Sequence, residues 1–172
     1  MKTNILVCKE VNKVVNKFKT RDPFEICKNL NINIYYKDLG LSVKAYYFCQ
    51  SRIKNIIINN NVDDIISNIL CAHELGHALL HSKISTTHTF HEVELLNLTT
   101  KTEFEANLFA AELLIPDETL LELIKEKKSF FSIASELYVP YQLLDFKLGI
   151  LNAKGFPITK QNISSSTFLK YL

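Results

Sequence analysis

Residues 71 to 81 read CAHELGHALLH, placing His73 and His77 four apart in an apolar run with Glu74 beside the first. On a helix, positions i and i+4 share a face one turn apart, so both imidazoles can offer a nitrogen to one metal ion. Glu74 then projects toward the same cleft without ligating. There a carboxylate can hold a water molecule and take its proton, which is the physical content of the H-E-x-x-H pattern. The alternative is a hydrogen-bonded histidine pair beside a surface glutamate. Gly76 favours the metal: glycine costs a helix about 1 kcal/mol relative to alanine. It is expected to support the ligands by letting a strand or a substrate backbone approach between them.

A catalytic zinc site takes three protein ligands and keeps a fourth position open. His81 lies about 12 Å beyond His73 along the helix axis at about 1.5 Å per residue. It is therefore a poor ligand for the same ion, and reads as a residue that supports or packs beside the ligands, or lies at the surface. The better third ligand is in KTEFEANLFAAELLIP, residues 101 to 116. Glu103, Ala106, Asn107, Ala110 and Leu114 fall on one helical face, where the small alanines permit close packing on the motif helix. Glu103 can then reach the metal, and Asn107, one turn on, can hydrogen-bond a ligand histidine and orient it. Glu105 points about 200° away around the helix. It shares a face with Glu112, and both are expected to be ordinary solvated glutamates.

The elements that must position these residues can be read along the chain. Residues 3 to 18 carry apolar side chains at helical spacing, and Asp22-Pro23 starts a second short helix as N-cap and first residue. Three β-rich runs follow at Ile32 to Tyr36, Val43 to Cys49 and Lys54 to Ile58, bounded by turn formers. Asp63 and Asp64 can cap the motif helix. Residues 82 to 100, Ser/Thr-rich and without clean periodicity, read as a loop. A helix from about Thr102 to Ile115 ends at Pro116, and Pro116-Asp117 opens another. Two short helices flank Val139-Pro140, and the stretch from Lys154 reads as irregular. The expected class is α+β, with helices packed on a small, mostly antiparallel sheet. The expected divisions are 1–128 as the main domain, 129–153 as a helical hairpin packed on it, and 154–172 as an irregular tail.

At 172 residues the chain can bury one substantial core. Its 20 Lys and Arg against 18 Asp and Glu make no basic field for nucleic acid. The four cysteines are scattered singly, without a Cys-x-x-Cys pair, and read as reduced thiols of a cytoplasmic protein. The apolar run Ile5 to Cys8 is too short for a signal peptide, and no run approaches a membrane span.

HELGH followed by E-x-x-A-N-x-F-A-A-E-L-L-I-P resembles the ImmA/IrrE family of metallopeptidases, zincins of the gluzincin kind found in bacteria, prophages and mobile elements. The two motifs together are specific, and the resemblance spans most of the chain; ILNAKGFPI near the C-terminus is similar to phage-borne members. The resemblance implies a zincin-like metallopeptidase fold, Zn2+ on His73, His77 and Glu103, and Glu74 as general base. It implies peptide-bond hydrolysis in a helix-turn-helix repressor, often encoded nearby, as the protein substrate. Some members carry an additional sensor domain, for which this chain has no room.

SIASELYVPYQLLDFKL, residues 132 to 148, has a helix-turn-helix look of its own. It raises the alternative of a DNA-binding regulator, or a non-catalytic interaction partner, with the zincin part as scaffold. Yet Tyr141 to Leu148 offers one lysine, one aspartate and no arginine, poor equipment for phosphates or guanine. Direct nucleic-acid binding is not expected, and the stretch reads better as a structural hairpin or a docking surface. His88, His91, Tyr138 and Tyr141 could stabilise an oxyanion, but each reads better as a surface or packing residue.

Overall fold

The computed structural model describes residues 2–81, 88–91, 100–156 and 158. Helix α1, Lys2–Phe18, buries the stripe Val7, Val11 and Val14, the apolar face that its helical spacing predicts. Asp22 then caps α2, Pro23–Asn29, its Oδ1 accepting from the Phe24 and Glu25 amides at 2.8 and 3.3 Å. Both helix starts anticipated at the acidic residues are present. Asp63 caps α3, Asp64–Leu80, by accepting from the Ile66 amide at 2.8 Å.

Between α2 and α3 the chain forms strands β1 (Asn33–Lys37), β2 (Val43–Gln50) and β3 (Ile53–Asn59). A two-residue loop, Ser51 and Arg52, joins β2 to β3, with φ values of 52° and 67°, the twist that matches a tight hairpin to its strands. The sheet order is β1-β3-β2-β4, so β3 lies inside, buried from Asn55 to Asn59. β2 pairs antiparallel with β3 and β4, while β1 pairs parallel with β3. The sheet is mostly antiparallel, as expected, with one parallel pairing that arises because β3 returns from the hairpin into the place beside β1.

Residues 82 to 100 were expected to be a loop, but His88–His91 form strand β4 on the outer edge of β2. Four residues are too short to announce themselves by alternation, and the partner strand supplies the order. Residues 82–87 and 92–99 of that expected loop lie outside the described residues.

Helix α4, Lys101–Leu114, starts at Thr100, whose Oγ1 accepts from the Glu103 amide at 3.2 Å. It packs against α3, α1 and α7 and is buried from Ala106 to Leu113. Pro116 ends it and leads into α5, Asp117–Lys125; α6, Phe130–Glu136, and α7, Tyr141–Ala153, form the C-terminal hairpin. The irregular tail expected from Lys154 lies mostly outside the described residues. Among the described residues no helix is long and apolar enough to cross a membrane.

Glu112 corrects the expectation of a solvated glutamate: it is buried. The Nζ atoms of Lys147 on α7 and Lys154 just beyond it donate to its two oxygens at 2.6 Å each, and both lysines also pair with Asp117. α7 covers the side of α4 that looked free in sequence. Arg21 completes the mooring by donating to the Glu112 and Leu113 carbonyls at 2.9 and 3.0 Å, carbonyls that the last helical turn leaves without partners.

Removing one member of a buried ion pair strands the other, at about 3–5 kcal/mol. Since Lys154 still reaches Glu112, Lys147→Met is expected near the lower end, about 3 kcal/mol by urea denaturation. Burial alone would raise the Asp117 carboxyl, but Lys147 and Lys154 hold it below its ordinary 3.8. Its contribution is therefore full above that value and lost as pH falls through the lowered one. The stability gap between wild type and Asp117→Asn should close as the medium is acidified below pH 3.8, and a gap that widened would contradict the pairing.

Candidate metal centre

Helix α3 is apolar on nearly every side, and from Ile69 to Ala78 every residue is buried. His73, Glu74 and His77 are each about 1% exposed, so their polar atoms require partners inside the protein. α4 supplies most of them. It runs opposite to α3, placing Asn107 against His73 and Glu103 against both His73 and His77.

The His73 and His77 Nε2 atoms face each other at 3.1 Å. The Glu103 carboxylate lies 3.1 Å from the first through Oε2 and 3.4 Å from the second through Oε1. All three groups can offer one ligand atom within 4.8 Å of the others. In a tetrahedral zinc site with bonds of about 2.05 Å, neighbouring ligand atoms stand about 3.3 Å apart. The observed edges match that figure. The Asn107 Oδ1 is 2.8 Å from His73 Nδ1; since a carbonyl oxygen only accepts, Nδ1–H donates and the Nε2 lone pair is left facing the cluster. The donor set fits a divalent cation such as zinc.

Electrostatics prepares the same arrangement. Burial pushes the His77 imidazole down to about 4, so the ring is neutral near pH 7, the form that ligates. For Glu103, burial acts to raise the carboxyl, but hydrogen bonds and charge from His73 and His77 hold it far below the usual carboxylate range. Glu74 behaves oppositely: burial first, then the Glu103 charge, pushes it well above 4.5, against the lowering effect of the Tyr47 backbone amide. Its Oε2 is buried without a hydrogen-bond partner. A carboxyl so placed holds or releases a proton readily and has an oxygen free to meet a reactant.

Of the residues singled out in sequence, His73, Glu74, His77, Glu103, Asn107 and His81 come together. Gly76 lies among them but faces a different neighbour than expected. A Cβ there would stand 3.1 Å from Phe109 Cβ and 3.2 Å from Ala106 Cα. The glycine thus admits α4, and the backbone that approaches it belongs to the protein's own next helix. His81 is buried, its Nδ1 3.1 Å from His77 Nδ1. Glu105, expected in solvent, is half-buried with Oε2 2.9 Å from His81 Nε2. The sequence signal for Glu105 lay in His81: a buried imidazole one turn beyond His77 needs an acceptor for its second nitrogen. Tyr138 and Tyr141 are exposed on the C-terminal hairpin. His88 and His91 lie on β4, where the structure describes the backbone only.

Comparison with known proteins agrees with this geometry. Residues 27–149 match the Peptidase_M78 family, described as the IrrE N-terminal-like domain. The chain is 34% identical over 142 residues to "Uncharacterized immunity region protein 2" of Bacillus phage phi105, covering 83% of this chain and 89% of the relative. It is 30% identical over 159 residues to "Metallopeptidase ImmA" of Bacillus subtilis (strain 168), covering 91% of this chain and 92% of the relative.

Gly76→Ala tests the helix contact directly. Alanine would gain about 1 kcal/mol in helix propensity and lose about 1–3 kcal/mol to overpacking. The crowded atoms are a backbone Cα and a Cβ, which cannot swing aside. A net loss of about 1 kcal/mol in chemical denaturation is expected; an unchanged or raised midpoint would show that α4 can back away freely.

Proposed function

The chain belongs to the IrrE N-terminal-like family of metallopeptidases, and we propose that it is a zinc-dependent endopeptidase that hydrolyses a peptide bond in a specific intracellular protein. The observation that carries the reading is the convergence of His73 Nε2, His77 Nε2 and the Glu103 carboxylate beside the buried, half-satisfied carboxyl of Glu74. His73, His77 and Glu103 would hold the ion. Bound there, zinc would supply Lewis acidity, making a water molecule easier to deprotonate and a carbonyl easier to attack.

The remaining steps belong to the chain's own side chains. Glu74 takes the proton of the attacking water on its carboxylate and later delivers it to the leaving amine nitrogen. A value raised by burial suits both tasks, because the group must hold the proton between the two transfers. Glu103 stays ionised and so keeps negative charge in the cluster while Glu74 changes state. Asn107 fixes the His73 ring through the hydrogen bond at Nδ1.

The substrate reading is a helix-turn-helix repressor of a prophage or mobile element, encoded nearby and met in the cytoplasm. It is supported by the family resemblance and by similarity to a protein named for a phage immunity region. The DNA-binding alternative loses weight from one contact: Lys147, the single lysine of Tyr141 to Leu148, is buried against Glu112. That stretch keeps no cation for phosphates.

Protein purified without chelators should carry about one zinc per chain by elemental analysis, lost in Glu103→Ala and kept in Glu74→Gln. Cleavage of the neighbouring repressor should fall about 10²- to 10⁴-fold in Glu74→Gln. Wild type that takes up no zinc would overturn the metal reading in favour of a non-catalytic binding protein. Undiminished cleavage by zinc-loaded Glu74→Gln would remove Glu74 from the chemistry.

A further inference from the structure

His81 and Glu105 continue the site away from the facing Nε2 atoms of His73 and His77, and the family resemblance assigns them nothing. The contacts run in series from Glu105 Oε2 to His81 Nε2 at 2.9 Å, from His81 Nδ1 to His77 Nδ1 at 3.1 Å, and from His77 Nε2 to Glu103 at 3.4 Å. His77 and His81 are both buried, and Lys101 at 3.7 Å flanks Glu105 on its solvent side.

We propose that Glu105, acting through His81, fixes the tautomer and ring orientation of His77 and thereby presents its Nε2 to the metal. The inference rests on the reading of His73, His77 and Glu103 as ligands.

Proton accounting gives the direction. An ionised carboxylate accepts only, so His81 donates from Nε2–H to Glu105. With one N–H on the ring, that leaves a lone pair on His81 Nδ1. Two lone pairs cannot face each other favourably at 3.1 Å, so His77 must donate from Nδ1–H. Its remaining lone pair is then on Nε2, where a cation held by the cluster would lie between it and the His73 lone pair 3.1 Å away. With one proton on each ring, reversing the link between them would set the His81 Nε2 lone pair against the Glu105 carboxylate. Glu105, the carboxylate at the outer end of the series, can only accept, and it biases the two rings toward this direction.

The two ligand histidines are oriented differently. His73 rests directly on the Asn107 amide, a partner that also accepts in one sense only. His77 is one turn farther along α3, and its outer nitrogen meets a second histidine, which could donate or accept. Such a neighbour orients a ligand only if something orients it in turn, and Glu105 does so from the same helix that carries Glu103. The pair are positioning residues, since neither His81 nor Glu105 reaches the ligand atoms.

The test uses the full chain, with zinc affinity measured by competition with a chelator, denaturation of the zinc-free protein, and nitrogen NMR of the His77 ring. Wild type should bind zinc in a manner abolished by Glu103→Ala, and zinc-free His77 should carry its proton on Nδ1 to a greater extent in wild type than in Glu105→Leu. Glu105→Leu should weaken zinc binding about 10- to 100-fold and move the zinc-free His77 proton toward Nε2. Glu105→Gln, whose side-chain oxygen still accepts, should restore most of the affinity. The double variant with His81→Leu should lose no more than the worse single one, as links in series do. Zinc binding in Glu105→Leu equal to wild type would overturn the proposal while leaving the ligand set standing. So would a His77 tautomer that is the same in wild type, Glu105→Leu and Glu105→Gln, whatever the change in stability. Wild type without zinc affinity would bring down both readings together.

Discussion

His73, Glu74 and His77 of α3 and His81 at its C-cap are buried along a largely apolar helix, and each needs a partner within the protein. Their positions allow little choice. Asn107, Glu103 and Glu105, the partners of the three histidines, come from α4, and the Tyr47 amide of β2 serves Glu74. Side chains can meet in this way only if the two helices approach closely, and that approach requires a residue without a Cβ where α3 meets Ala106 and Phe109. Gly76 is therefore a condition for the site, although it touches no ligand atom.

The same closeness separates the two acidic residues by role. Glu103 faces two imidazoles and stays ionised; Glu74, enclosed by apolar surface and by the charge of Glu103, is driven toward its protonated form. Two carboxyl groups in one pocket thus acquire opposite tendencies from their surroundings alone. One is suited to hold a cation and the other to carry a proton. Neither assignment depends on residue type, since both are glutamates.

What the sequence disclosed was local. Asp22 and Asp63 announce their helices because a cap is an interaction over two or three residues. His73, His77, Glu103 and Asn107 were visible as a candidate constellation because helical spacing places them on facing stripes. Failures came where a distant segment decides the outcome. The parallel pairing of β1 with β3 depends on where the hairpin docks. β4 has too few residues to show a period without its neighbour. Glu105 and Glu112 both looked solvent-exposed on a helical wheel, but α4 is surrounded: α3 reaches round to one through His81, and α7 covers the other.

That enclosure bears on the C-terminal hairpin. Its apolar spacing is that of a helix-turn-helix, and spacing alone could not say whether Lys147 faced solvent or the core. In the structure Lys147 and Lys154 close over Glu112 and Asp117, while Arg21 fastens the last carbonyls of α4. Buried pairs of this kind contribute little net stability but strongly disfavour any arrangement that separates them. α4 is thereby held at its C-terminal end by ion pairs and at its N-terminal end by the histidines of α3. A helix fixed at both ends cannot slide, and Glu103, which sits in its first turn, inherits that constraint. The hairpin therefore serves the site through packing: its lysine, paired with Glu112, holds the register of the helix that carries Glu103.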